Sequence, residues 1–343
     1  MPDKGTRKQH ILPRSYLERF AQEDKIWVLD FESKKQYQRN IKDAAIITDF
    51  YTVKTIEKDE DDIIEQKFLG DIESPAKDAI DHTIKARTFK DRPQWDYLAN
   101  FTAQMYVRTP LFRQIILEIY EHSVNTMTKD ILKDEATFNI AMQKIKDKIK
   151  PDAILSYEKA LEVQKHSDIT VDIPRTYYIK LMMEYANKLV SVIGQMTPHL
   201  FFASRLTKAD FVTGDVPIIA TPRKSDNTGT WLGNPNCDLY FPLSSKCCLV
   251  LNYDSLSTVI EIDKTRIAFI NHLMAYNCTR IVLSENQNFV WMQENRVISD
   301  DIQHLIASWG PGKKTTPRAK IPDGTIPPVC RNDWNRLTSD DKD

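Results

Sequence analysis

At 343 residues, with 41% hydrophobic and 28% charged residues, the chain is long enough to bury a core and has the composition of a soluble globular protein. A formal net charge of -1 excludes a global field that would draw nucleic acid or an anionic membrane, leaving only local basic patches to consider. Five cysteines with one adjacent pair and no CxxC spacing exclude a secreted disulfide framework and a zinc cluster, and they suit a reducing compartment.

The opening MPDKGTRKQH alternates charge and lacks the apolar stretch of a signal peptide. No run approaches the ~18 apolar residues of a membrane span, so a cytoplasmic protein without membrane contact is expected. The next stretch, RKQHILPRSYLERF, is unusually dense for a chain start. Ile11, Leu12, Tyr16, Leu17 and Phe20 predict an anchored turn and short helix, with Pro13 at its first position. KIWVLDF and KQYQRNI then read as a hairpin turning at Lys34, where no Gly or Asn supports a tight turn. The acidic run EKDEDD would solvate a loop and give the following helix a negative first turn.

From about residue 61 to 198 the pattern is helical. DIIEQKFLGDIE forms one helix, and Ser74-Pro75 is expected to restart or kink it, with Ser74 as N-cap. Residues 93–122 read as one long helix with Pro110 inside, kinked near Val107. The lysine-rich segment Thr128 to Lys165 reads as a solvated helical insertion, with contact to nucleic acid or a partner as the sharper alternative. YYIKLMMEYANKLVSVIGQM carries a clean apolar stripe of core type.

Past Thr197 short β-rich runs alternate with Pro, Gly, Asn and Asp, then TRIAFINHLMAYNC and DDIQHLIASW read as helices around the strands RIVLS and FVWM. The expected fold is α+β: a helical body (57–198), a C-terminal β-rich part (199–310) and an N-terminal segment plus hairpin (1–56) packed across them. Together these form one compact unit over residues 1–310, followed by an extended Pro-rich tail at 311–343.

Candidate site residues are polar groups where the helical period calls for apolar ones. Glu65 falls inside the arc of Ile64, Phe68, Leu69 and Ile72, and Glu73 lies at its edge. Arg108 falls among Phe101, Ile115 and Ile119. A carboxylate aimed into a core must be paired, hydrogen-bonded or metal-bound. Two readings stay open: a structural Glu–Arg pair fixing register, or a cleft in which a carboxylate acts as base or metal ligand and Arg108 orients an anionic group. His10 is either a satisfied structural residue or a general base or metal ligand that the leader delivers together with Lys8. Asp215, after the strand-like FVTGD, is either a turn-bonding carboxylate or a site residue fixed by a sheet end, and Ser244 in FPLSS repeats that arrangement. HExxH, GxSxG, a P-loop, a dinucleotide fingerprint and a D…ExK spacing are all absent from the sequence.

These stretches carry a resemblance. KQHILPRSYLERF resembles the KxHxxPxxYLxxF opening of the uncharacterised, mostly bacterial domain-of-unknown-function family 4238. DFYTV, IEQKFLGDIE, YVRTP, FVTGDVPI, FPLSS and the span from Asn271 to RIVLS follow in the family's order. The resemblance covers residues 8 to about 290. It implies functional weight at His10, Pro13, Tyr16, Glu65, Glu73, Arg108, Asp215, Pro217, Pro242, Ser244 and Asn271. The chain departs from the pattern at Gly214, where the family usually has Ser.

Two functions are therefore weighed. One is a cytoplasmic hydrolase of nuclease type, in a bacterial defence setting. His10, Glu65, Glu73 and Asp215 would be catalytic, Lys8, Tyr16, Arg108, Ser244 and Asn271 would bind substrate, and a divalent metal on Glu65 and Asp215 would activate water. The other is a non-enzymatic ligand-sensing or protein-interaction module, in which the same groups form a buried polar network. Exposure separates the two: an enzyme presents these groups to solvent in one pocket, whereas a network seals them.

Overall fold

The computed structural model describes residues 8–48, 71–89, 91–146, 155–166, 173–223 and 234–309. The acidic run at 57–62, Glu65 and the tail at 311–343 lie outside the described residues, as do the side chains of Lys8 and His10.

The protein is α+β. The leader forms β1 (Lys8–His10) and the single turn α1 (Arg14–Leu17). Pro13 is the N-cap of α1, one position earlier than expected, and its carbonyl accepts from the N–H groups of Tyr16 and Leu17. The expected hairpin is β2 (Lys25–Asp30) with β3 (Lys35–Asn40), and Lys34 closes its turn at φ 55°. A non-glycine residue in that left-handed region is uncommon, which is why composition alone signals no tight turn here. β4 (Ile46–Thr48) pairs antiparallel with β1, setting His10 opposite Ile46.

α2 (Asp71–Ala86) continues through Ser74-Pro75, so the helix does not restart at Ser74. α3 (Arg92–Val107) starts on the side-chain cap of Asp91, which accepts from Gln94 N at 2.9 Å. The single long helix expected over 93–122 is two helices: α4 (Pro110–Ile131) begins where α3 has ended. Pro110 has no N–H to offer the Tyr106 carbonyl, and the Thr109 hydroxyl donates to that oxygen instead, at 2.9 Å. Arg108 becomes the C-cap of α3, so its side chain leaves the helical phase that placed it near Ile115 and Ile119.

Two compact units are distinguished, where the sequence suggests one over 1–310. One comprises Met1–Leu111 with Ile179–Asp343, and the other is Phe112–Tyr178. The smaller unit contains most of α4 together with α5 (Glu135–Ile145) and α6 (Tyr157–His166). Between Thr128 and Lys165 eight lysines face seven carboxylates, so this segment has almost no net field of its own.

α7 (Arg175–Ile193) leads into the sheets, burying Leu181, Met182, Ala186 and Ile193 along the predicted stripe. β5 (Thr197–Ala203), β6 (Thr213–Gly214), β7 (Ile219–Pro222), β8 (Cys237–Ser244), β9 (Cys247–Asn252), β10 (Val259–Ile262) and β11 (Ile281–Ser284) follow, with α8 (Lys264–Asn277) between the last two. A five-stranded sheet runs β10-β5-β9-β8-β7, antiparallel except for the β10–β5 pair. A four-stranded antiparallel sheet runs β3-β2-β11-β6 and so joins the N-terminal hairpin to the C-terminal half.

α8 is buried almost all round, the mark of a central helix. Ile267, Ile270, Leu273 and Met274 share one core with Leu29 of β2 and with Tyr240 and Val250 of the five-stranded sheet. The small pair β12 (Trp291–Met292) and β13 (Ile298–Ser299) and the last helix, α9 (Ile302–Ser308), complete that core through Trp291, Ile302 and Leu305. Among the described residues no helix is long and apolar enough to cross a membrane.

Candidate functional site

Asp215, Asn271 and Tyr16 all hold the stretch around β6, which runs between the start of β11, the central helix α8 and the leader. Asp215 follows β6 and is 4% exposed. Its carboxylate accepts from Thr279 N (2.8 Å), Thr279 Oγ1 (2.6 Å), Arg280 N (2.7 Å) and Ile281 N (3.2 Å). Three consecutive backbone N–H groups thus form an anion-holding nest at the turn from α8 into β11, and the protein's own carboxylate fills it. Burial pushes the Asp215 carboxyl above its ordinary value, while these four donors pull against that rise. Asp215 N also donates to Ile281 O at 3.2 Å, so the residue clamps both sides of the turn.

Gly214 explains how the chain comes so close. A Cβ built there would lie 2.6 Å from the Ile281 carbonyl oxygen, inside any tolerable contact. The departure from the family's usual Ser is therefore a packing requirement of β6 against β11 in this chain.

Asn271, fully buried on α8, is the second clamp. Its Nδ2 donates to Asp210 O and Val290 O, both at 2.8 Å, and its Oδ1 accepts from Val212 N at 3.0 Å. One side chain thereby holds the segment before β6 and the segment before β12 on the central helix. Tyr16 is the third. With no exposed surface, it hydrogen-bonds Thr213 Oγ1 and donates to Pro242 O, each at 2.7 Å, while its ring stacks on Phe241 at 5.6 Å. Burial pushes its phenol well up. Pro242 sits where the β8–β9 register shifts, the kind of irregular position that tolerates a missing N–H. Ser244 is 7% exposed, and its Oγ accepts from Lys246 N at 3.1 Å across the hairpin turn. Ser245 N donates to Arg19 O, and Arg19 itself bonds Asp81 on α2, which ties leader, hairpin turn and helix together.

Glu73 and Arg108 do meet. Arg108 is 3% exposed and its Nη1 donates to Glu73 Oε1 at 2.9 Å, as the Glu–Arg pairing on these helices anticipates. The Glu73 side chain stays 29% exposed. For His10 the backbone pairing with Ile46 is described, and Glu65 lies outside the described residues.

Sequence reasoning missed a second polar assembly at the far end of the five-stranded sheet. Each strand, in sheet order, contributes one residue at, just beyond or within two positions of its end: Thr258, His199, Asn252, Asp238 and Arg223. His199 Nδ1 lies 2.9 Å from Thr258 Oγ1 and its Nε2 lies 2.8 Å from Asn252 Oδ1. Asn252 also bonds Asp238, and Arg223 Nε donates to Asp238 Oδ1 at 2.6 Å. The Arg223 guanidinium then grips both oxygens of Asp254, at 2.7 and 2.8 Å. Burial pushes the neighbouring Cys237 thiol up to about 12, so it stays protonated and is a poor nucleophile. The only trace of this row in the sequence is one polar residue near the edge of each β-rich run, separated by up to sixty positions.

Among the described residues no group of three or more His, Cys, Asp or Glu side chains is placed to hold a metal ion. No curated protein and no solved structure matches the chain. A family model described as "Protein of unknown function (DUF4238)" matches residues 8–288, most of the chain. The order of motifs from the leader to RIVLS and this match agree, and the chain belongs to the DUF4238 family.

Proposed function

We propose that this chain is a non-catalytic ligand-sensing or protein-interaction module of the bacterial cytoplasm, whose motif residues build a structural clamp. One observation carries the reading: the Asp215 carboxylate, buried, already accepts four hydrogen bonds from Thr279, Arg280 and Ile281. A metal-ligating or general-base carboxylate needs a lone pair directed at its ligand or substrate. Tyr16 and Asn271 are engaged in the same way, by groups far away in sequence. The four described cysteines are free and buried, which favours the reducing compartment.

The second reading, metal-assisted phosphodiester hydrolysis in a defence setting, draws support from the Glu73–Arg108 pair, whose carboxylate end reaches solvent. Calorimetric titration of the wild-type chain with Mg2+ and Mn2+, beside a cleavage assay on supercoiled and single-stranded DNA, separates the two. The module reading expects neither metal heat nor cleavage. Metal-dependent cleavage lost in both Glu73→Gln and Asp215→Asn, with folding retained, would replace it with the hydrolase.

A further inference from the structure

We propose that the five-residue row across the end of the five-stranded sheet is a proton-operated latch, with His199 as its trigger and the ends of β7 and β8 as the parts it releases. The row is continuous from Thr258 through His199, Asn252 and Asp238 to Arg223, and Arg223 in turn holds Asp254. The Asn252 carbonyl oxygen accepts from Asp254 N at 2.9 Å while its amide group meets Asp238. That orientation makes His199 Nε2 the donor, and in the neutral ring that burial favours, Nδ1 accepts from the Thr258 hydroxyl.

A second proton at Nδ1 turns the Thr258 hydroxyl around and puts an imidazolium in a site 1% exposed. The charged groups facing His199 are Asp254, Asp238 and Arg223. Both carboxylates are already shared with the Arg223 guanidinium, so the new cation competes with Arg223 for them. Arg223 is the residue that closes β7 onto β8, with its N–H also donating to Asn236 O at 2.6 Å. Loosening it therefore frees the strand ends that flank residues 224–233.

Burial lowers the proton affinity of His199 below the ordinary imidazole value, against the opposing pull of Asn252, Asp254 and Asp238. The opened row takes up its proton at the ordinary value of about 6.5, the closed row only at lower pH. Opening thus becomes more favourable as pH falls below about 6.5, by up to about tenfold for each pH unit until the closed-row value is reached. Asp254 is held below the ordinary carboxylate range by Arg223, so it titrates in a separate, more acidic window.

Hydrogen–deuterium exchange of the full chain between pH 7.5 and 5.0, corrected for intrinsic rates, reads the latch directly. The wild type is expected to lose three- to tenfold protection in 219–223 and 237–240 between pH 7 and 5.5, with β2 and β3 unchanged. His199→Gln, which keeps a donor and an acceptor but cannot titrate, is expected to show flat protection. Equal losses in wild type and variant, or no loss in wild type, would overturn the proposal. Should the variant fail to fold, the ring nitrogens of wild-type His199 followed by NMR decide the matter. The latch requires them to titrate in step with the amides of Ile219, Ala220 and Thr221, and a ring that titrates alone or stays neutral until global unfolding rejects it.

Discussion

At the α8–β11 turn, the protein buries a carboxylate and satisfies it entirely with neutral donors, three of them backbone N–H groups. At the far end of the five-stranded sheet it sets a half-buried row in which Arg223, Asp238 and Asp254 share charge, linked through Asn252 to His199. Backbone donors cannot titrate or swing away, so at the Asp215 clamp only the carboxyl itself responds to pH, and burial raises its proton affinity against the pull of its donors. The Arg223 row depends on the protonation of its members and on one guanidinium shared between two carboxylates, so it responds to its surroundings. Asp215, Asn271 and Tyr16, all in motif stretches, hold the segment around β6, and the responsive row lies in stretches that no motif marks.

Removing the clamp has the largest expected effect. Asp215→Ala leaves three backbone N–H groups and a hydroxyl of a part-buried turn without their acceptor, each costing about 1–3 kcal/mol where water cannot reach it, and a net loss of about 4 kcal/mol is expected from urea unfolding. A loss below about 1 kcal/mol would mean that the nest is not what holds the turn. Gly214→Ser, the substitution toward the family's usual residue, forces a Cβ onto the Ile281 carbonyl and is expected to cost about 1–3 kcal/mol, seen as a lower Tm. An unchanged Tm would show that β6 shifts freely and that the close approach is incidental.

Tyr16→Phe keeps the ring packing on Phe241 and deletes both hydroxyl bonds, for an expected loss of about 1.5 kcal/mol. Limited proteolysis of the leader should speed up in parallel, and a leader cleaved no faster would detach Tyr16 from leader docking. The smallest effect is acid loss at Asp30. Burial works to raise its carboxyl, but the Arg280 guanidinium and the N–H groups of Ser33 and Glu32 outweigh burial and hold it below the ordinary carboxylate value. Because the folded value is the lower one, this pair contributes stability above about pH 4, and the contribution fades as pH falls through the lowered folded value. Arg280→Gln should flatten the stability curve in that window, and an identical acid limb in both proteins would remove Asp30 from the account.

How far the sequence reaches differs between these regions for a physical reason. Tyr16, Leu17 and Phe20 announce an ordered leader because three large apolar side chains in five residues cannot all remain in water, and all three are buried. The Glu73–Arg108 pair is legible as two charged residues at the edges of apolar helical stretches, although Arg108 caps α3 and does not continue the period that runs to Ile115 and Ile119. The break at Thr109 is harder to read, since a proline signals either a kink or a stop, and only the Thr109 hydroxyl taking the Tyr106 carbonyl settles which. Three of the four donors around Asp215 are invisible in principle, because backbone N–H groups carry no letter. The Arg223 row is hidden differently: its five members come from five strands, and only the sheet order brings them together.

The engagement of Asp215 is the central claim, and paramagnetic Mn2+ added to the deuterated, 15N-labelled chain tests it most directly. The amide signals of Thr279, Arg280 and Ile281 should stay sharp and exchange slowly at Mn2+ concentrations that broaden the neighbours of exposed carboxylates such as Glu162 on α6. Selective broadening of those three signals at low Mn2+ would mean that the carboxylate is open to a metal, and the clamp would give way to a catalytic centre.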